Sequence, residues 1–575
     1  MKNRIFYSLL ILGLILPGYS RAQSRYPKNY FRSPIDFPIK LAGGFGDVRQ
    51  NHFHSGIDIR TGGEVGKPVY AVADGYISRI NISSTGFGNA IYITHPNGFT
   101  SLYGHLKKLN GAIGNWIKVQ QYKKESFEID TPVDPGVLVV KKGDVIAYSG
   151  NTGFSEGPHL HFEIRDATTQ EIIDPILFGL PFKDDTPPKI YNVRIYPFDA
   201  NSSVNFSNHP VTLAVTGSGG EYKLISKDTV KVSGKIIFGI EAVDFSNDTG
   251  SRDGITSIEL YVDTVCCFSQ KIERFAFAET RYANALLDYP QVVKNGQRIM
   301  RSYIAPNNKL SMYGRNKNKG LLEFMDTKAH KVLYILKDAF GNTSRLAFWV
   351  KSSLPASGGV MENKRSTRTL LACGKSNHFS AYGITFDLPA DALYEDLDFN
   401  YSSSPAIHGS YSPVHHLQDE LVPVHSSCTL SLRADGVPKF LISKALIVKV
   451  EPNGHFSGKS SKVENGNITS EVREFGNYTL AIDTTPPVIR PVNVAQNKNV
   501  SKQETLSFKI SDNLSGIRSY RGTLNGKWIL MDFDAKSNLL VYAFDDRIKP
   551  GKNNLRLVVR DAVGNETVYQ ATLTR

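Results

Sequence analysis

Strand-length apolar runs broken by glycine-bearing turns recur along most of this 575-residue chain and leave little room for long helices. The clearest series begins with Gly66-Lys67-Pro68-Val69-Tyr70-Ala71-Val72-Ala73-Asp74-Gly75 and Gly88-Asn89-Ala90-Ile91-Tyr92-Ile93-Thr94-His95. It continues through Val140-Lys141-Lys142-Gly143-Asp144-Val145-Ile146 to Ser149-Gly150-Asn151-Thr152-Gly153. The pattern predicts a mainly β protein, with an antiparallel β domain near the N-terminus followed by β-sandwich modules.

The same segment concentrates histidine. Six of the fourteen (His52, His54, His95, His105, His159 and His161) fall within about a hundred residues, where chance would spread them along the chain. Residues two apart on a strand share a face, with Cα atoms roughly 6.6 Å apart. His159 and His161 therefore stand side by side, so that one can bind a metal while the other reaches over its open position. Four residues of straight strand span about 13 Å, too far for two ligands each about 2 Å from one zinc. His54 and Asp58 thus need a bend between them, and Gly56 tolerates the dihedrals of a tight turn. Two imidazoles, one carboxylate and an open position are the pattern of catalytic rather than structural zinc. Glu163 is read as turned away from His161 by strand alternation and is given no catalytic part.

Three motifs stand in a fixed order: His54-Ser55-Gly56-Ile57-Asp58, Leu102-Tyr103-Gly104-His105-Leu106 and Gly157-Pro158-His159-Leu160-His161-Phe162-Glu163. With the strands between them, over about residues 40 to 180, they resemble the lysostaphin/LytM family of zinc peptidases, which cut the peptide part of bacterial peptidoglycan. The resemblance implies Zn2+ held by His54, Asp58 and His161, with His105 and His159 as the catalytic pair that does not ligate the metal. It does not divide the roles of that pair. His52 competes as a ligand by position, but the family pattern uses only the later histidine; His95 is read as a packed residue. The implied function is an exported zinc metalloendopeptidase hydrolysing stem or cross-bridge peptides of peptidoglycan. The alternative is a non-enzymatic LytM-like factor that activates another wall hydrolase, which loss of one of the five residues would favour; all five are present. A third reading is an adhesive or scaffold protein in which the C-terminal modules matter most.

Residues 1–22 read as a signal peptide. Lys2 and Arg4 precede an apolar run from Ile5 to Leu16, then a Pro17-Gly18 break and a Ser20-Arg21-Ala22 cleavage site. The run is too short to span a bilayer, no cysteine follows for a lipoprotein anchor, and no second long apolar run supplies a transmembrane anchor. The expectation is secretion across the inner membrane to the periplasm or cell surface. Losing Lys2, Arg4 and Arg21 lowers the formal charge by three, from +13 to +10, a balance drawn to anionic wall polymers. No basic stripe interleaved with aromatics suggests nucleic acid.

The zinc peptidase domain is expected over 23–184. An unusually long connection, about 110–137, contains an amphipathic stretch from Trp116 to Phe127 suited to a helix or projecting hairpin. It is a departure from the compact family pattern, and it holds no candidate ligand, so removing 112–134 is expected to leave the metal site. Asp185-Thr186-Pro187-Pro188 and Asp483-Thr484-Thr485-Pro486-Pro487 open two immunoglobulin-like modules, 185–355 and 483–575. Their closing turns match as well, Lys337-Asp338-Ala339-Phe340-Gly341-Asn342 and Arg560-Asp561-Ala562-Val563-Gly564-Asn565. Between them, 356–482 is a β domain of unassigned topology, with His415 and His416 read as surface loop residues. A cell-envelope protein partner is expected to dock through these modules. Of the four cysteines, Cys266 and Cys267 are adjacent and poorly placed to pair with each other, whereas a Cys373–Cys428 bridge is left open.

Overall fold

The computed structural model describes residues 25–247, 250–353 and 369–575. The signal-peptide assignment and the expected boundary at 355/356 lie outside the described residues.

Strands β1 (Leu41–Gly43), β2 (Ile57–Arg60), β3 (Gly75–Ile82), β4 (Ala90–Thr94) and β5 (Phe99–Gly104) come first in the chain. Helix α1 (Gly111–Lys124) follows, then β6 (Ile129–Pro132), β7 (His159–Asp166) and β8 (Ile172–Ile173). The strands pair antiparallel in the order β1-β2-β7-β5-β4-β3-β6. Central β4 and β7 are covered on both faces. Ala90, Ile91, Tyr92 and Ile93 are all buried, which explains their unbroken apolar run; Leu160 through Arg165 are buried too, but alternate apolar with polar residues because one face of β7 is turned to the site.

The connection after β5 does form a helix. Ile113 and Ile117, one turn apart on α1, enter the core, and Lys123 and Lys124 sit at the C-terminal end where the helix dipole favours cations. The segment 112–134 is therefore part of the core and not a peripheral insert. Phe127, Ile129 and Val133 are buried in the same core, and β6 is the edge strand on β3, with Ile129 opposite Ile82 and Pro132 opposite Arg79.

The core runs on without interruption into the following residues. β8 pairs with both β7 and Arg274–Phe275, and the Phe45 and Phe275 rings stack 5.3 Å apart, so one cluster extends from Phe31 to Val350 and takes in Tyr394. Residues 371–482 form two five-stranded sheets around their own core. There His415 is fully buried on strand Val414–Leu417, its Nδ1 bonded to Tyr401 Oη at 2.9 Å, and His416 is half-buried between Ser404 and Asn477. Neither is a surface loop residue: a short polar-looking segment becomes a central strand once two sheets close on it. All four cysteines are free thiols, so Cys373 and Cys428 are not bridged. The last module packs a four-stranded against a five-stranded sheet around Leu506, Phe508, Tyr542 and Leu557. Among the described residues no helix is long and apolar enough to cross a membrane.

The outer face of α1 meets that last module. Tyr122 lies edge-on to Trp528 at 5.1 Å, donates to Asp545, and carries the Arg547 guanidinium over its ring; Lys118 pairs with Asp545 at 3.3 Å. A double-mutant cycle on Tyr122→Ala and Trp528→Ala, followed by equilibrium denaturation, is expected to show a coupling of about 0.5–1.5 kcal/mol. Strictly additive costs would mean that the two rings do not hold the module in place.

Candidate active site

Strand register assembles the site. His161 on β7 stands directly opposite Asp58 on β2 and Gly104 on β5, so the carboxylate and imidazole meet on one face, with His105 one residue beyond Gly104. Gly104 makes room for the neighbouring ring: a Cβ there would lie 3.3 Å from that of His161. Gly56 serves close approach rather than turn dihedrals. Its φ is not in the left-handed region, but a Cβ would collide with the Phe162 carbonyl and crowd Glu163 Cγ at 2.9 Å. His105 itself has φ +57°, a conformation costly for a residue with a Cβ, held by its N–H donating to Phe87 O at 2.7 Å.

Three ligand atoms converge. Asp58 Oδ1 is 3.1 Å from His54 Nε2 and 2.9 Å from His161 Nδ1, and the two nitrogens are 3.3 Å apart. A tetrahedron with arms of about 2.0 Å has edges of about 3.3 Å, so the triangle fits zinc. The outer nitrogens strengthen that fit. His54 Nδ1 donates to Gly44 O at 2.7 Å, and His161 Nε2 donates to Glu163 Oε1 at 3.0 Å, leaving His54 Nε2 and His161 Nδ1 as lone-pair donors facing Asp58. His52 is exposed and bonded to Gln50 O; His95 is buried between Asp74 O and Ser101 Oγ, and burial pulls its pKa down to about 4. Both lie outside the triangle.

His105 and His159 face the same point, with ring centroids 4.8 Å apart. His105 Nδ1 donates to Thr152 O at 2.7 Å and His159 Nδ1 to Gly157 O at 2.8 Å, so each turns Nε2 inward. His159 Nε2 is buried, has no hydrogen-bond partner, and lies 3.3 Å from Asp58 Oδ1. A buried lone pair left this way is the mark of a place meant for another group.

Electrostatics are set by burial and by two carboxylates. Burial opposes ionisation of Asp58, but His54, His159 and His161 outweigh it and hold the carboxyl well below the usual range. Burial pulls His161 down, yet Asp58 and Glu163 together raise it to about 9. Glu163 is fully buried and, despite that burial, is held at about 2 by Arg165 and His161. Burial, then His161 and His159, push His105 down to about 3, so its imidazole is neutral.

Glu163 corrects the sequence expectation. It lies two residues from His161, and alternation puts residues two apart on the same face, so the spacing itself carried the signal. Arg165, two further on, donates to Glu163 Oε2 at 2.6 Å, extending the row as Arg165–Glu163–His161. The carbonyls of Gly44, Thr152 and Gly157 have no such signature, because backbone acceptors are not specified by residue type.

A family model for "Peptidase family M23" matches residues 52–122 and 131–175, and one for "Zu5-like domain" matches 368–483. The first segment is an M23 peptidase domain. The DD-carboxypeptidase/endopeptidase Mpg of Neisseria meningitidis serogroup B (strain MC58) is 35% identical over 128 residues, 22% of this chain and 23% of that protein. Lysostaphin of Staphylococcus simulans is 28% identical over 158 residues, 27% of this chain and 25% of that protein. This chain thus spans about a quarter of the length of these curated relatives. Among solved structures, a zinc containing peptidase from Vibrio cholerae is 27% identical over 27% of this chain and 41% of that one, with a TM-score of 0.20.

Replacing His54, Asp58 or His161 by Ala is expected to abolish stoichiometric zinc in metal analysis of the purified protein. Glu163→Gln is expected to keep the ligands but weaken zinc ~10–100-fold in competition with a chelating dye, because it removes the carboxylate that orients His161. Unchanged affinity in Glu163→Gln would limit Glu163 to pairing with Arg165.

Proposed function

We propose that this chain is an exported zinc metalloendopeptidase that hydrolyses peptide bonds of bacterial peptidoglycan. The observation that carries the reading is the convergence of four imidazoles and Asp58, each imidazole fixed by an outward hydrogen bond that leaves its other nitrogen facing one point. The names of the matched relatives, a DD-carboxypeptidase/endopeptidase and lysostaphin, support a wall peptide as substrate.

His54, Asp58 and His161 would hold the ion, which when bound supplies a Lewis acid for the scissile carbonyl and acidifies water. The remaining steps belong to His105 and His159. Neutral imidazoles with inward Nε2 atoms can accept the proton shed by the attacking water and return one to the leaving amine. Once protonated, either becomes a donor to the oxyanion of the tetrahedral intermediate. Asp58, held ionised, offsets the positive charge that this transfer creates.

The last module reaches this machinery. Lys536 donates to the carbonyls of Asn151 and Ser155, flanking the loop whose Thr152 carbonyl orients His105 and whose Ser155 hydroxyl lies 3.2 Å from His159 Nδ1. The last module therefore supports the peptidase loop directly, in addition to any partner the C-terminal modules engage in the cell envelope.

Purified peptidoglycan digested with the zinc-loaded protein, with products identified by mass spectrometry, tests the reading. His105→Ala and His159→Ala are expected to retain zinc while turnover falls by roughly 10² to 10⁴. Variants that cut as fast as wild type would remove the proton-transfer roles. A zinc-loaded wild type that releases no wall peptide but stimulates a second hydrolase would replace this reading with the activator alternative.

A further inference from the structure

The two modules that open on Asp-x-Thr-Pro-Pro and close on Asp-Ala-x-Gly-Asn share more than those turns. In the first, Asn342 Nδ2 donates to Asp184 O and to Asp338 Oδ2; in the last, Asn565 Nδ2 donates to Asp483 O and to Asp561 Oδ2. Ser344 donates to Pro188 O as Thr567 does to Pro487 O. A third aspartate completes each set, Asp244 in the first and Asp512 in the last, and each trio brings one carboxylate oxygen per residue to within 4.8 Å of the others.

The first trio is the more enclosed. Asp184, Asp244 and Asp338 are only 7%, 3% and 4% exposed. Asp184 Oδ2 and Asp244 Oδ1 are buried without a hydrogen-bond partner, and among the described residues no lysine, arginine or histidine forms an ion pair with any of the three. A fourth carboxylate, Asp253, stands opposite Asp244 across the strand pair, and its Oδ1 is also buried and unpartnered. Buried carboxylates in such proximity are strongly unfavourable unless a cation joins them.

We propose that Asp184, Asp244 and Asp338 bind one calcium ion where the peptidase domain passes into the next module. An all-carboxylate set is hard oxygen chemistry, unlike the imidazole-rich site of the peptidase. Magnesium holds on to several of its waters and is seldom bound by carboxylates of the protein alone, whereas calcium accepts such sets in adaptable geometry, so three carboxylates buried together suit calcium. The unpartnered oxygens of Asp184 and Asp244 are the ligands with free lone pairs, while Asp338 is already oriented by the amides of Phe340 and Asn342. One ion would then join the linker (Asp184), the long strand Val230–Phe245 (Asp244) and the closing turn (Asp338).

The site also touches the peptidase from behind. Asp253 packs against Gly44, leaving no space for a Cβ there, and Gly44 supplies the carbonyl that orients His54.

The test uses the chain from residue 23 onward, zinc-loaded and dialysed free of calcium. Titration with CaCl2 in a calorimeter is expected to show binding in the ~10⁻⁴–10⁻³ M range of modules outside cells, and the melting temperature to rise ~3–6 °C at tenfold that concentration. MgCl2 is expected to give a smaller shift. Asp244→Asn removes a buried like charge without changing shape, so it should fold, keep its zinc, melt without calcium at or above wild type, and bind one calcium fewer per chain. Asp512→Asn should leave that equivalent in place. A wild type that neither binds calcium nor shifts its melt, or an Asp244→Asn chain that binds as many equivalents as wild type, would overturn the assignment; Asp184→Asn repeats the measurement on a second ligand.

Discussion

The cross-strand pair of Asp58 and His161 fixes the geometry on which the rest of the site depends. Because alternate residues of a strand face opposite sides of the sheet, a slip of β7 by one position against β2 would carry His161 to the face opposite Asp58 and bury it among apolar neighbours. The pattern of buried residues on β7 opposes such a slip, since Leu160, Phe162 and Ile164 fill the core on the face opposite His159, His161 and Glu163. The hydrophobic core therefore sets the geometry of the candidate ligands. His105 is the exception, placed by a left-handed residue just after β5 and not by the ladder itself.

Around this pair the polarity is organised by hydrogen bonds that point outward. Four imidazoles in a small buried volume would be free to rotate and to choose either tautomer; a carbonyl or carboxylate behind each removes that choice. The Arg165–Glu163–His161 row is the strongest of these, because all three members are buried and the ionised Glu163 is satisfied from both sides. Charge at the site is thus balanced across three strand positions.

What was legible in the residues was what depends on local spacing. His159 and His161 two apart, the Gly-bearing turns and the paired Asp-Thr-Pro-Pro and Asp-Ala-x-Gly-Asn segments are all short-range patterns, and each has its counterpart in the structure; the stretch from Trp116, open between helix and hairpin, falls in a helix that begins earlier, at Gly111. Glu163 was equally legible and was misassigned, since the rule that places His159 beside His161 places Glu163 there too. Other features required tertiary information. His415 reads as polar until two sheets enclose it, and Asp244 carries no mark linking it to Asp184 and Asp338, almost a hundred residues away at the farther one. The contact of Tyr122 with Trp528 joins segments some four hundred residues apart, which no local pattern encodes.

That last contact bears on the order in which the molecule becomes complete. A chain made from its N-terminus presents the M23 segment long before Lys536, Trp528 and Asp545 exist to engage the loop at Asn151 and the outer face of α1. Contacts of such long sequence separation form late, after the intervening sheets have closed and shortened the distance between the ends. Until then the loop that carries the carbonyl behind His105 lacks its distal support. Maturation of the site is in this way tied to synthesis of the final ninety or so residues, and a chain cut short before them would release the domain with its strands in place and one side of its catalytic loop unbraced.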